Sequence, residues 1–244
     1  MRKKTRARGS KGTRRDERED EKIYDGGPFK PSFKRKAATL EAKIPNQQCY
    51  INAIESSIIT FGIGPAGCGK TYIPTAMAAL DLLSGNIEKI VLVRPAVEAG
   101  EKLGYLPGDV NEKIDPYMRP IFDVLGRFLD KERLSQFIQL GLVEIAPLAY
   151  MRGRSIPDAY IILDEAQNTT PTQMKMFLTR IGENSKIVIT GDPTQCDIVP
   201  RQKSGLIDAI ERLSDVKGIS TIELGVEDIV RHDIVQAIVE AYEI

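Results

Sequence analysis

One histidine, His232, and three cysteines at positions 49, 68 and 196 are all that this 244-residue chain offers of soft, polarisable or imidazole chemistry. A lone histidine argues against a Ser-His-Asp or Cys-His centre, and it leaves no multi-histidine metal site. Three widely spaced cysteines provide neither a disulfide framework nor a zinc spacing. No apolar run approaches the ~18 residues that a membrane helix needs, and no apolar stretch follows the basic start as in a signal peptide. A reduced, cytoplasmic setting with no membrane partner is therefore expected. Charge of one sign is also lacking overall, because 34 Lys and Arg balance 34 Asp and Glu. Nothing global demands nucleic acid, lipid or an acidic partner.

What is present is a globular composition, 42% hydrophobic and 28% charged, in a chain long enough to bury a full core. The charge is unevenly spread. Residues 1–22 carry ten Lys or Arg against five acids, and large apolar side chains are nearly missing there. This pattern predicts a disordered basic tail over residues 1–40, with Gly26, Gly27, Pro28 and Pro31 marking a linker. Such a tail fits two roles, a solubilising segment or a salt-sensitive contact to a phosphate backbone. One domain is expected over residues 41–244.

Within that domain, short β-branched runs alternate with longer segments of helical period. Strands are predicted at Ile58–Ile63, Lys89–Arg94, Leu142–Ala146, Ala159–Leu163, Lys186–Thr190 and Gly218–Glu223. Helices are predicted at Gln47–Ser56, Lys70–Ser84, Asn111–Phe128, Lys131–Leu140, Pro171–Ile181, Ser204–Leu213 and Val226–Tyr242. Runs such as Tyr160-Ile161-Ile162-Leu163 are continuously apolar rather than alternating. Strands of that kind are covered on both faces, so the expected fold class is α/β, a mostly parallel sheet sandwiched by helices.

The strongest motif is Gly64-Pro65-Ala66-Gly67-Cys68-Gly69-Lys70-Thr71, which follows a buried strand and opens a helix. Its glycines let the backbone curl so that amide groups point inward at a triphosphate, and the following helix adds its positive end. Lys70 is placed to bridge the β- and γ-phosphates, and Thr71 to put its hydroxyl on Mg2+. A second apolar strand ends in Asp164-Glu165. A strand-end aspartate holds magnesium opposite the phosphate loop, which assigns Asp164 to the metal. Glu165 is the available general base for an attacking water, since no histidine is near it in sequence. A third strand runs into Gly191-Asp192-Pro193-Thr194-Gln195. In an open parallel sheet this turn lies at the ligand edge, where Gln195 can meet the γ-phosphate or the lytic water. Asp192 either joins the magnesium network or serves as a structural Asp-Pro turn.

The wording of these motifs resembles the PhoH-like ATPases over about residues 44–244. It is carried by Asn46-Gln47-Gln48, by the phosphate loop with Tyr72 after it, and by Arg94-Pro95-Ala96-Val97-Glu98-Ala99-Gly100-Glu101. Pro147-Leu148-Ala149-Tyr150-Met151-Arg152-Gly153-Arg154 and Leu163-Asp164-Glu165-Ala166-Gln167-Asn168 complete it. That family is similar to the first RecA-like domain of superfamily 1 helicases. The resemblance implies ATP and Mg2+ as cofactors, with Gln47 reading the adenine edge and residues 64–72 lining the nucleotide. Cys68 departs from the Thr or Ser more usual at its position. Its contribution there is chiefly backbone, so it reads as a neutral variant.

Helicases of this class complete their site with an arginine from a second RecA-like domain, and no such domain is expected in this chain. The charge then comes from the same domain or from a neighbouring subunit, as in a ring. PhoH-like proteins resemble ring-forming ATPases, which implies a homo-oligomer, in this reading a hexamer. Arg201 and Arg231 are the candidate arginines, while Arg94, Arg152 and Arg154 read as RNA or subunit contacts. His232 reads as a packing or capping residue. Tyr105 and Tyr117 are either stacking platforms for single-stranded nucleic acid or core residues. Three functions fit: an ATPase acting on single-stranded RNA or DNA, a nucleotide-switched assembly protein, and, more weakly, a small-molecule kinase.

Overall fold

Six strands form one wholly parallel sheet in the computed structural model, which describes residues 39–95, 110–197, 203–230 and 234, with the backbone alone over residues 110–117. In chain order these elements are α1 (Pro45–Ser56), β1 (Ile59–Ile63), α2 (Tyr72–Ser84), β2 (Lys89–Arg94), α3 (Val110–Phe128) and α4 (Lys131–Gln139). They continue with β3 (Val143–Pro147), β4 (Ala159–Leu163), α5 (Pro171–Leu178), β5 (Lys186–Gly191), α6 (Gly205–Leu213) and β6 (Ile219–Glu223). The strand order is β3-β2-β4-β5-β1-β6.

Burial explains why β4 reads as unbroken apolar sequence. Tyr160 and Ile162 pack on one face with residues of α1 to α4, such as Tyr50, Ile73, Leu125 and Phe137. Ala159, Ile161 and Leu163 pack on the other face with Met174 and Phe177 of α5 and Leu206 of α6. Each face removes large aliphatic side chains from water, worth roughly 1.5–3 kcal/mol apiece. The expected fold class, α/β with a mostly parallel sheet sandwiched by helices, is the one observed.

The helices have local causes. Proline occupies the first turn of α1 and of α5. A reciprocal pair of side-chain bonds between Thr170 and Gln173 closes the start of α5. Asp130 accepts the amide of Arg133 to begin α4. Left-handed Gly85 ends α2. Lys186 donates to the carbonyls of Ile54 and Glu55 at the end of α1, and burial pushes its ammonium pKa down.

The chain leaves β1 through α2 on one face of the sheet and leaves β5 through α6 on the opposite face. The crevice of such a sheet opens where these connections diverge, at the carboxyl ends of β1, β5 and β4.

Two expectations change. Residues 226–228 form a 3-10 turn rather than the start of a long helix, because the Asp228 carboxylate is held by Asn46 Nδ2 at 2.6 Å and by the Gly225 amide at 2.8 Å. Beyond Val230 only Ile234, which is helical, lies among the described residues. Helix α5 stops three residues short of Ile181, whose backbone bridges to Ile156 instead. Two further 3-10 turns, Leu148–Met151 and Ala166–Asn168, had no sequence signal. No helix among the described residues is long and apolar enough to cross a membrane.

Candidate functional site

The loop of residues 64–71 joins β1 to α2, with Gly64, Gly67 and Gly69 all at positive φ (151°, 91° and 96°). Side chains strain such backbone, and a Cβ on Gly64 would also lie 2.3 Å from the Leu224 carbonyl oxygen. Among the described residues no acceptor takes the N–H of Gly67 or Gly69, so both remain available to an anion. Lys70 rests its ammonium on the Pro65 carbonyl at 3.1 Å.

Helix α1 braces this loop from below. Gln47, buried, donates to the Cys68 carbonyl at 3.0 Å and accepts the Lys43 amide at 3.0 Å. One turn on, the fully buried Tyr50 donates to the Lys70 carbonyl at 3.1 Å. Burial, then Cys68 and Asp164, raise the Tyr50 phenol well above its ordinary range, so it stays a neutral donor. Cys68 turns its side chain into the core, and burial raises its thiol pKa against the lowering pull of Lys70.

At the end of β4, Asp164 is almost fully buried. Its Oδ1 accepts the Thr71 hydroxyl at 2.8 Å and the Thr190 hydroxyl at 2.7 Å. Its Oδ2 lies 3.1 Å from Arg94 Nη2. The loop hydroxyl and the strand-end carboxylate, 93 residues apart, thus meet directly. Glu165 adopts a left-handed backbone (φ 56°). Its Oε1 is 3.0 Å from the same Arg94 nitrogen, and its Oε2 accepts Gln167 Nε2 at 2.6 Å.

Gln167 also accepts the Asp192 amide at 3.1 Å, tying the Asp-Glu segment to the turn after β5. Asp192 is buried and spends its carboxylate inside that turn, on Thr194 and on Gln195 Nε2 at 2.8 Å. Asp192 is therefore a turn-former here, and it holds Gln195 at the same edge.

A cleft of about 620 Å³ opens beside the loop, lined in part by Gln47, Gly67, Gly69, Tyr72 and Arg127. The Arg127 guanidinium sits 5.6 Å above the Tyr72 ring.

The structure brings together Gln47, residues 64–72, Asp164, Glu165 and Gln195. Arg201, Arg231, His232 and Tyr105 lie outside the described residues, as does the Tyr117 side chain. Arg94, expected at a surface contact, instead sits inside the site. Arg154 is engaged with Glu144, at 2.8 Å through Nη2, while Arg152 is exposed. Thr190 and Gln167 were also missed. The available signal was only that Arg94 and Thr190 fall at the carboxyl ends of predicted strands, the ligand edge of a parallel sheet; that both strands flank β4 emerges from the strand order.

Hard oxygen donors and a glycine-lined cradle are the set that suits a magnesium-bound phosphate chain. Among the described residues no group of three or more His, Cys, Asp or Glu could hold a metal unaided. A cation here would take its remaining ligands from a substrate and from water.

A family model described as "PhoH-like protein" matches residues 39–243. The chain is 53% identical over 208 residues to a PhoH-like protein of Bacillus subtilis, covering 85% of this chain and 65% of that one. It is 50% identical over 209 residues to a PhoH-like protein of Synechocystis, covering 86% and 64%. Protein PhoH of Escherichia coli is 46% identical over 210 residues, with 85% and 59% covered. The chain thus spans less than two thirds of the length of these relatives. Among solved structures, a Pif1 helicase from Candida albicans superposes with a TM-score of 0.42 at 15% identity, over 82% of this chain and 43% of that one.

Proposed function

The chain belongs to the PhoH-like protein family, and we propose that it binds ATP with Mg2+ and hydrolyses it to ADP and phosphate, coupled to work on single-stranded RNA or DNA. The observation that carries the reading is the 2.8 Å bond between the Thr71 hydroxyl and Asp164, beside a loop whose Gly67 and Gly69 amides have no acceptor among the described residues. Magnesium, when bound with the nucleotide, neutralises phosphate charge and fixes the phosphate geometry.

The protein's own groups do the rest. Gly67 and Gly69 amides bind phosphate oxygens, and Lys70 leaves the Pro65 carbonyl to bridge the β- and γ-phosphates. Thr71 and Asp164 are the residues that would hold the cation. Glu165, fixed by Arg94 and Gln167, takes the proton of the attacking water. Gln195 shares the edge and orients the water or the γ-phosphate. Gln47 keeps one amide hydrogen and one carbonyl lone pair beyond its two protein bonds, enough to read an adenine edge in the adjoining cleft.

Nucleic acid is supported by Tyr150, 58% exposed, beside exposed Arg152 in the turn that follows β3. An aromatic platform next to a cation is how unpaired bases are gripped. A ring, in this reading a homohexamer, supplies the missing arginine, with Arg201 and Arg231 the candidates. A nucleotide-switched assembly protein is the competing reading. The test is ATP turnover with and without single-stranded RNA or DNA at rising salt. A motor is stimulated, and stimulation fades with salt. Unchanged turnover sinks the motor and leaves the switch. No turnover by the assembled protein sinks the ATPase.

A further inference from the structure

Arg94 ends β2, which pairs with β4 in parallel register, Val93 opposite Leu163. The next residues, Arg94 and Asp164, therefore leave neighbouring strands side by side. One guanidinium nitrogen, Nη2, touches both carboxylates of the site, Asp164 Oδ2 at 3.1 Å and Glu165 Oε1 at 3.0 Å. Asp164 Oδ1 is already shared by the hydroxyls of Thr71 and Thr190. The carboxylate oxygen that the threonines leave over thus faces a cation that belongs to the protein.

A guanidinium does not lose its proton in proteins, so this charge is permanent. It is only slightly exposed, with 19% of the side chain accessible, so solvent screens it weakly. A divalent ion arriving at Asp164 meets that positive charge at close range and must compete for the same carboxylate. The free protein is then a poor cation site, and the negative phosphates of a nucleotide are needed to tip the balance.

We propose that Arg94 is the resident counter-cation of the site, a positioning residue for Asp164 and Glu165 that yields Asp164 when the metal nucleotide is loaded. This rests on the nucleotide-site reading above. It adds a defined movement of the Arg94 side chain at the end of β2. It also gives the empty site a form in which one guanidinium offsets part of the repulsion between two adjacent carboxylates.

The decisive measurement is Mn2+ binding to the nucleotide-free protein, followed by electron paramagnetic resonance. Arg94→Met is expected to bind Mn2+ about tenfold or more tightly than the parent, because a full positive charge near the carboxylates is gone. Arg94→Lys keeps the charge and stays near the parent. In Arg94→Met combined with Asp164→Asn the gain disappears. In turnover, Arg94→Met lowers the Mg2+ concentration for half-maximal rate and also lowers kcat, since Glu165 loses its anchor. Equal Mn2+ affinity in parent and Arg94→Met overturns the proposal, as does a gain that survives loss of Asp164. Arg94→Gln carries the same prediction and is read in place of Arg94→Met if that variant fails to fold. Failure of the parent to bind ATP with Mg2+ sinks the nucleotide reading alone, because the Mn2+ comparison needs no nucleotide.

Discussion

Glu165 holds a left-handed backbone that costs a non-glycine residue roughly 1–2 kcal/mol. That cost is met by bonds on both carboxylate oxygens, from Arg94 and Gln167, and such strain at a strand end is typical of a working residue. Glu165→Gln is expected to bind ATP as the parent does while hydrolysis falls about 100-fold or more. Nucleotide binding and phosphate release, measured side by side, check this, and a parental rate removes Glu165 as the base. Lys70→Ala should fail earlier, at binding itself. Gly62 has a different task. A Cβ there would sit 2.2 Å from the Tyr50 hydroxyl, whose ring lies fully buried beneath the strand. Gly62→Ala is expected to lose about 1–3 kcal/mol by overpacking, read as a lower denaturant midpoint, and to weaken ATP binding by displacing Tyr50 from the Lys70 carbonyl. The phosphate loop and the Asp-Glu pair were legible because their residue types are rare in that order. Arg94 was not. Nothing in sequence announces which strand lies beside β4, so a partner some 70 residues away was invisible until the strand order was known.

Strands β2 and β4 have the bounds expected from sequence, because each carries an unbroken apolar run, residues 90–93 and 159–163, whose two faces are both covered. The 3-10 turn at residues 226–228 was missed because a bond from distant Asn46 to Asp228 helps to fix it, which no period announces. Helix α1 shows how an element can act at a distance from its own composition: its Gln47 and Tyr50 hold two carbonyls of the phosphate loop. Edge strand β3 is tied to the turn after it by Glu144 and Arg154. That guanidinium keeps the Glu144 carboxyl below its usual range despite partial burial, which acts the other way. A pKa depressed on folding gives stability that is present above the unfolded value, about 4.3, and is lost as pH falls through the folded one. The pair is near the surface, so at most about 1 kcal/mol is at stake. Glu144→Gln should lower the melting temperature slightly at pH 7 and leave it unchanged near pH 2. An equal deficit at both values contradicts this account.

For the whole molecule, the open question is what it builds. If a neighbouring subunit completes the site, ATP should drive assembly, and sedimentation should show mass well above the 27.1 kDa chain under conditions that support turnover. Hydrolysis at full rate by a chain that sediments as a monomer would place the completing charge within one subunit. The relatives are longer than this chain, so the tests belong on the chain as it stands.

The sheet order has a consequence for how the molecule is made. Among the described residues, strand β1, which launches the phosphate loop, pairs with β5 and β6, and their partners to Phe61 are Ile189 and Thr221. A ribosome adding 5–20 residues per second needs roughly six to thirty seconds to travel from Phe61 to these partners. Through that interval the nascent loop hangs from an unpaired strand edge, so synthesis must outrun premature aggregation before the cradle can close.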